Sequence, residues 1–226
     1  MINQTLDILI VIPAYNEENT IGKVINQIKN TPYNFIVIDD GSTDNTLSII
    51  RNNTTKSQYL FYPTNMGKGY AIRTGSNWAK MHKYSYILVL DADGQNSIAN
   101  IELFDLALQK HPTAQIIIGN RMHNPKNMPF IRFLTNKVMS AIISKLSKHN
   151  IKDSQCGMRL ASVEIFDKLK ANRFDLESEM LLKTKGSIIN IPIKSVYSKN
   201  RISKIKPISD TIRFIKLLWR YYGKKT

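Results

Sequence analysis

The chain has 226 residues, enough for one large domain or two small ones. With 42% apolar and 22% charged residues it has globular composition, which excludes an intrinsically disordered chain, and no apolar run nears the roughly 18 residues of a membrane span. The formal net charge of +15 suits any polyanion, while the single cysteine, Cys156, excludes an internal disulfide or a cysteine-built zinc site and fits a reducing compartment.

Leu6 to Pro13 is an apolar run closed by proline and predicts a buried strand. Residues 16–29 carry Ile21, Val24, Ile25 and Ile28 at helical spacing, and Thr31-Pro32 ends that helix. Phe35 to Ile38 predicts a second buried strand, stopped by Asp39-Asp40-Gly41, and Ser42 or Thr43 can cap a helix reaching about Asn52. Strands follow at 58–62, 86–90 and 115–118, and helices at 69–81 and 98–109. Such alternation predicts an open, mostly parallel α/β sheet with right-handed crossovers. Beyond residue 120 the alternation breaks down. A mixed apolar and basic stretch from Pro129 to about Lys148 predicts a helix. Residues 188–196 predict a strand whose Pro192 suits an edge, and Pro207 and Ser209 precede a last helix to about Tyr222.

Ligands of such sheets lie beyond the carboxyl ends of the strands. The polar clusters fall at those ends: Tyr15-Asn16-Glu17, Asp39-Asp40 and Asp91-Ala92-Asp93. Two carboxylates spaced as Asp91 and Asp93 can reach one hard cation, with Gln95 adding a neutral oxygen and a diphosphate supplying more. A solvated turn fits the same residues. Asp39 or Asp40 can accept hydrogen bonds from a ribose or a base, whereas Asp44 suits a helix cap. Asn65-Met66-Gly67-Lys68-Gly69 matches neither the dinucleotide fingerprint nor the P-loop. Lys68 and Arg73 beside that helix start can hold phosphate, and a plain tight turn explains the glycines equally well. The four histidines are scattered and read as surface residues, and Cys156 reads as structural.

The charge is uneven. Residues 106–152 carry eight Lys/Arg and no acid, residues 194–226 are net +9, and residues 1–105 are net −2. In the last helix Ile208, Ile212, Ile215, Trp219 and Tyr222 form one stripe, flanked by Arg213, Lys216, Arg220 and Lys224. An interfacial helix and a helix docked on its own core both fit; the cations favour an anionic membrane surface. A lysine-rich surface from a biased genome would give the same charge with no partner.

With these residues in view, the sequence resembles the family 2 glycosyltransferases, and within them the polyprenyl-phosphate branch typified by dolichol-phosphate mannose synthases. The matching segments are residues 11–18, 38–44, 65–69 and 91–95, then Gly119-Asn120-Arg121, the run from Asp153 to Arg159, Ile191-Pro192-Ile193 and Ser203-Lys204. They stand in family order over residues 8–205. The resemblance implies a GT-A fold: a Rossmann-like sheet flanked by helices, with a nucleotide-sugar half (1–120), an acceptor half (121–205) and a basic amphipathic helix (206–226). It implies inverting transfer from a GDP- or UDP-sugar to a polyprenyl phosphate, at the cytoplasmic face of a membrane, in cell-envelope synthesis. It assigns the donor to Pro13, Tyr15, Glu17, Ile38, Asp39, Asp40, Lys68, Asp91, Ala92 and Asp93. Mg²⁺ or Mn²⁺ falls to Asp91, Asp93 and Gln95, and acceptor phosphate to Arg121, Arg132, Arg201 and Lys204. The segment before Ser203 is shorter than in the mannose synthases, so Lys199 is an alternative to Arg201. No secretory leader and no membrane-spanning tail are expected.

A lipid phosphate is largely ionised at neutral pH and needs cations more than a base. A sugar-hydroxyl acceptor, the nearest rival, needs a general base, for which Asp153 is the candidate. A nucleotidyltransferase would carry a glycine-rich loop after the first strand, where this chain has Pro13-Ala14-Tyr15-Asn16. A nucleic-acid-binding protein would account for the charge but not for the carboxylate clusters, so no nucleic-acid partner is expected.

Overall fold

In a computed structural model of the protein, residues 7–125, 128–173, 175–194 and 219 are described. One seven-stranded sheet runs through them. Its strands are β1 (Ile8–Ala14), β2 (Asn34–Asp39), β3 (Tyr59–Phe61), β4 (Tyr86–Val89), β5 (Ala114–Asn120), β6 (Arg159–Ser162) and β7 (Ser187–Pro192), in the order β3-β2-β1-β4-β6-β5-β7. The helices are α1 (Ile21–Lys29), α2 (Thr46–Asn53), α3 (Lys68–Met81), α4 (Asn100–Lys110), α5 (Phe130–Ser147) and α6 (Asp175–Lys183). The fold is mixed α/β, as the alternation predicts, and both halves share one sheet and one core. β7 is an edge strand with Pro192 as its last residue, as that proline requires.

The central strands are apolar on both faces because both faces are covered. Every residue of β1 is buried, and so is all of β2 except Asn34. Right-handed crossovers place α1 and α2 on one face, where they pack together, and α3 on the other, against β1, β2 and β4. Gly75 allows that close approach: a Cβ there would collide with the Val11 side chain. α1 buries Ile21, Val24, Ile25 and Ile28, the residues whose spacing predicts it.

β6 departs from the predicted pattern. It is antiparallel to both neighbours, β4 and β5. Its amino end therefore lies at the carboxyl ends of β4 and β5, with Arg159 paired to Val89 and to Ile118. The run from Asp153 to Met158 is delivered to the same edge as Asp91. α6 likewise has no counterpart in the sequence reading. The predicted helix over 207–222, apart from Trp219, lies outside the described residues, as do Lys199, Arg201 and Lys204.

Candidate active site

The first two loops at this edge are bonded to each other. Asn16, in the left-handed region at φ 51°, donates its backbone N–H to Ser42 Oγ (3.0 Å) and accepts from the Thr43 N–H through Oδ1 (2.8 Å). The Glu17 N–H donates to Thr46 Oγ1 (2.7 Å), and the Glu17 carboxylate accepts from the Thr20 hydroxyl (2.9 Å). Asp44 accepts from the Thr46 amide at the start of α2, one residue ahead of the N-cap position, which Asn45 holds. Tyr15 stands 37% exposed at the rim. Pro13 and Ile38 are register partners and both are buried, so the Ile38 side chain supports the floor of the crevice.

Asp39 and Asp40 are both buried. Ser42 donates its hydroxyl and its amide to Asp39. Asp40 accepts the Met66 and Gly67 amides, one on each oxygen, both at 2.8 Å. Burial pushes both carboxyl groups above the usual carboxylate range, against those hydrogen bonds. Asp40 thus braces the turn that starts α3. At the start of α3, Asp40 takes the Met66 and Gly67 amides, the Asn172 carbonyl takes the Tyr70 amide, and the Arg73 side chain donates to Asn172 Oδ1. Gly67 sits at φ 104°, and a Cβ there would also strike the Asn172 carbonyl.

Lys68 instead enters the site through its side chain. Its ammonium lies 2.7 Å from Asp91 Oδ1 and 2.8 Å from Glu177 Oε1 of α6. Burial disfavours that charge, but the two carboxylates outweigh it and raise the Lys68 pKa. Burial likewise pushes the Asp91 carboxyl up, and Lys68, with Arg121 and Arg159 behind it, brings it below the usual range. Gly157 lies against the other Asp91 oxygen, where any Cβ would collide with it. Ala92 is buried, and Asp93 accepts the Gln95 amide at 2.9 Å, closing the turn. Among the described residues no three His, Cys, Asp or Glu side chains gather as a metal site. Asp91 and Asp93 are hard oxygen donors that suit Mg²⁺ or Mn²⁺ only when further oxygens complete the shell.

Across the crevice, Arg121 follows β5. Its Nε and Nη2 donate to the two oxygens of Asp153 at 2.8 and 2.9 Å, and its backbone N–H donates to Oδ2. Asn136 of α5 adds a fourth donor at 2.6 Å. Asp153 is fully buried; burial raises its pKa, but Arg121 and Asn136 outweigh that and lower it. A carboxylate held by four donors has its proton-accepting positions occupied, so Asp153 orients Arg121. Asn120 beside it is buried, and its Oδ1 has no hydrogen-bond partner among the described residues. Arg132, on the first turns of α5, is half-buried.

Glu177, Arg159 and Asn136 are the residues that sequence reasoning missed. The buried Arg159 guanidinium donates to the carbonyls of Cys156, Glu177 and Ser154, so one side chain ties the 154–157 loop to α6. Its place in the motif ending Gly157-Met158-Arg159 was the available signal. Glu177 and Asn136 are paired only by the tertiary fold. Cys156 is buried and its thiol pushed up to about 12 by burial, as befits a structural residue.

Carboxylates and Arg121 thus meet at one edge of a mixed α/β sheet of the GT-A type. The Glycosyl transferase family 2 model matches residues 9–170, and the chain belongs to that family. It is 31% identical over 223 residues to the UDP-N-acetylglucosamine–dolichyl-phosphate N-acetylglucosaminyltransferase of Methanococcus voltae, covering 87% of this chain and 88% of that one. It is 30% identical to the dolichyl-phosphate beta-glucosyltransferase ALG5A of Trichomonas vaginalis, over 76% of this chain and 59% of that one. Among solved structures, mannosyl-3-phosphoglycerate synthase from Rubrobacter xylanophilus shares the fold at a TM-score of 0.74 and 17% identity, covering 97% of this chain and 75% of that one.

Proposed function

We propose that the protein transfers a sugar, with inversion, from a nucleoside diphosphate donor to a polyprenyl phosphate of the dolichyl type at the cytoplasmic face of a membrane. The observation that carries this reading is the state of Asp153. A hydroxyl nucleophile must lose a proton to a base as it attacks. The sequence's candidate base is buried under four donors; burial favours its protonated form, but Arg121 and Asn136 outweigh that and leave it a weak proton acceptor. A phosphate monoester, with a second pKa near 6, arrives already ionised. It needs a cation to position it, and the Arg121 side chain, oriented by Asp153, is that cation. Arg132 is the second, and the acceptor roles of Arg201 and Lys204 belong to the same proposal. Similarity to the dolichyl-phosphate transferases supports the acceptor class.

On the donor side, Pro13, Tyr15 and Glu17 with Ile38 and Asp39 form the nucleoside cradle, and Asp40 shapes it by fixing the Met66-Gly67 turn. Asp91 and Asp93, with Gln95, would hold Mg²⁺ or Mn²⁺ through the diphosphate. A bound cation there neutralises charge on the departing diphosphate. Lys68 adds a positive charge beside Asp91. Asn120 offers a buried acceptor to a sugar hydroxyl. The M. voltae relative favours a UDP-sugar over a GDP-sugar. Thermal-shift titration with UDP- and GDP-sugars in the presence of Mn²⁺ tests the donor half. A UDP-sugar should raise Tm in a Mn²⁺-dependent way, and stabilisation by neither nucleotide overturns the assignment.

A further inference from the structure

The Lys68 ammonium bridges two carboxylates from separate elements. Asp91, just beyond β4, accepts it on Oδ1 at 2.7 Å, and Glu177, in the first turn of α6, accepts it on Oε1 at 2.8 Å. All three side chains are largely shielded from water. Gly157 packs against the other Asp91 oxygen, Oδ2, where any Cβ would collide. A second cation approaching Asp91 would thus meet the ammonium on one oxygen and the Gly157 backbone on the other. The backbone sets where both partners of the ammonium and its own helix stand. Lys68 opens α3, whose Tyr70 amide donates to the Asn172 carbonyl, and the buried Arg159 guanidinium donates to the Glu177 carbonyl. The lysine side chain, a flexible four-carbon stem ending in a point charge, can pivot between the two carboxylates without moving either helix.

We propose that Lys68 and Glu177 work as a counter-ion exchanger on the donor carboxylate: Lys68 neutralises Asp91, yields it when Asp91 ligates a divalent cation, and is then held by Glu177 alone. Glu177 is accordingly a positioning residue, acting on Asp91 through Lys68. Two cations on one carboxylate oxygen repel strongly in a crevice shielded from water, so Asp91 serves one at a time. An ammonium displaced there without a partner would be costly, and Glu177 removes that cost. A divalent cation on its own therefore binds weakly, because a resident charge must leave Asp91 first. It binds better together with a nucleoside diphosphate, whose negative charge draws the ammonium off Asp91. The inference deepens the donor half of the proposed function and rests on it for Asp91 as a cation ligand.

Mn²⁺ binding by the full chain, read from the loss of the free-ion electron paramagnetic resonance signal, tests this without turnover. Lys68→Met should bind Mn²⁺ alone at least about tenfold more tightly than the wild type, and Glu177→Gln, which leaves Lys68 to Asp91, at least about threefold more weakly. A bare change of charge would give the same two signs, so the Lys68→Met/Glu177→Gln double variant decides. It keeps the wild-type net charge but lacks the competing ammonium, and should bind Mn²⁺ alone at least about threefold more tightly than the wild type. Wild-type affinity in the double variant, or no gain in Lys68→Met, overturns the proposal. If the wild type and all three variants fail to bind Mn²⁺ even with UDP, the donor assignment falls and the exchanger with it. If they bind it with UDP and the double variant gains nothing without UDP, the exchanger alone falls.

Discussion

At the scale of single residues, two carboxylates with similar sequence credentials have opposite employment. Asp91 borders the crevice, bound to Lys68 and facing Gly157, whereas Asp153 is sealed beneath Arg121. Asp91→Asn and Asp93→Asn should each lower transfer at least about a hundredfold, with Mn²⁺-dependent donor binding lost in parallel. Wild-type turnover in either variant contradicts the donor assignment. Asp153 makes a different prediction. Its pKa is depressed, so its contribution to stability is complete above the unfolded carboxylate value near 3.9 and drains away as pH falls below it. Asp153→Ala should cost about 3–5 kcal/mol at neutral pH, the usual result of stranding a buried ion-pair partner, and less at about pH 3, below the unfolded carboxylate value. Denaturant unfolding at both pH values measures this. The conservative Asp153→Asn separates base from orienter by kinetics. The acid limb of the pH–rate profile, set by acceptor phosphate near pH 6, should stay in place while the rate falls. A limb that disappears in Asp153→Asn would restore the general base.

At the scale of elements, the antiparallel β6 makes the site. Had it run parallel, the 153–158 loop would sit at the opposite edge from Asp91. Arg159, at its first position, locks that loop through three carbonyls. Arg159→Met should cost at least about 3 kcal/mol, because three buried carbonyls lose a charged donor, and Arg159→Lys should recover only part of it. A full thermal melt of either variant at the wild-type Tm would show the fork to be dispensable. The sequence displayed the first half of this architecture plainly. Period and length marked β1, α1 and β2 because each buries a nearly continuous apolar set. It did not display β6 or α6. β6 has four residues, and α6 buries Glu179 alongside Leu176, Met180, Leu181 and Leu182, so polarity does not follow burial. The donor motifs were legible because each follows a strand end. The partnership of Glu177 with Lys68 was not, because 109 positions separate them.

At the scale of the molecule, the net charge of +15 resolves into a division of labour. Residues 1–105 are net −2 and place Asp39, Asp40, Asp91 and Asp93 at the carboxyl edge of the sheet. The acid-free stretch over 106–152 contains Arg121, Arg132 and the whole of α5. Raising ionic strength should weaken binding to anionic vesicles steeply and donor binding little, because surface charges are screened within about 10 Å at 0.1 M salt. Equal salt sensitivity of the two would mean that the charges do not divide this way. The account stands or falls on the acceptor. Incubation with radiolabelled UDP-sugar, Mn²⁺ and either polyprenyl phosphate or the unphosphorylated polyprenol measures it. The prediction is label in the organic phase, released by mild acid, with the phosphate alone. Label on the unphosphorylated alcohol, or only on a water-soluble saccharide, would contradict it.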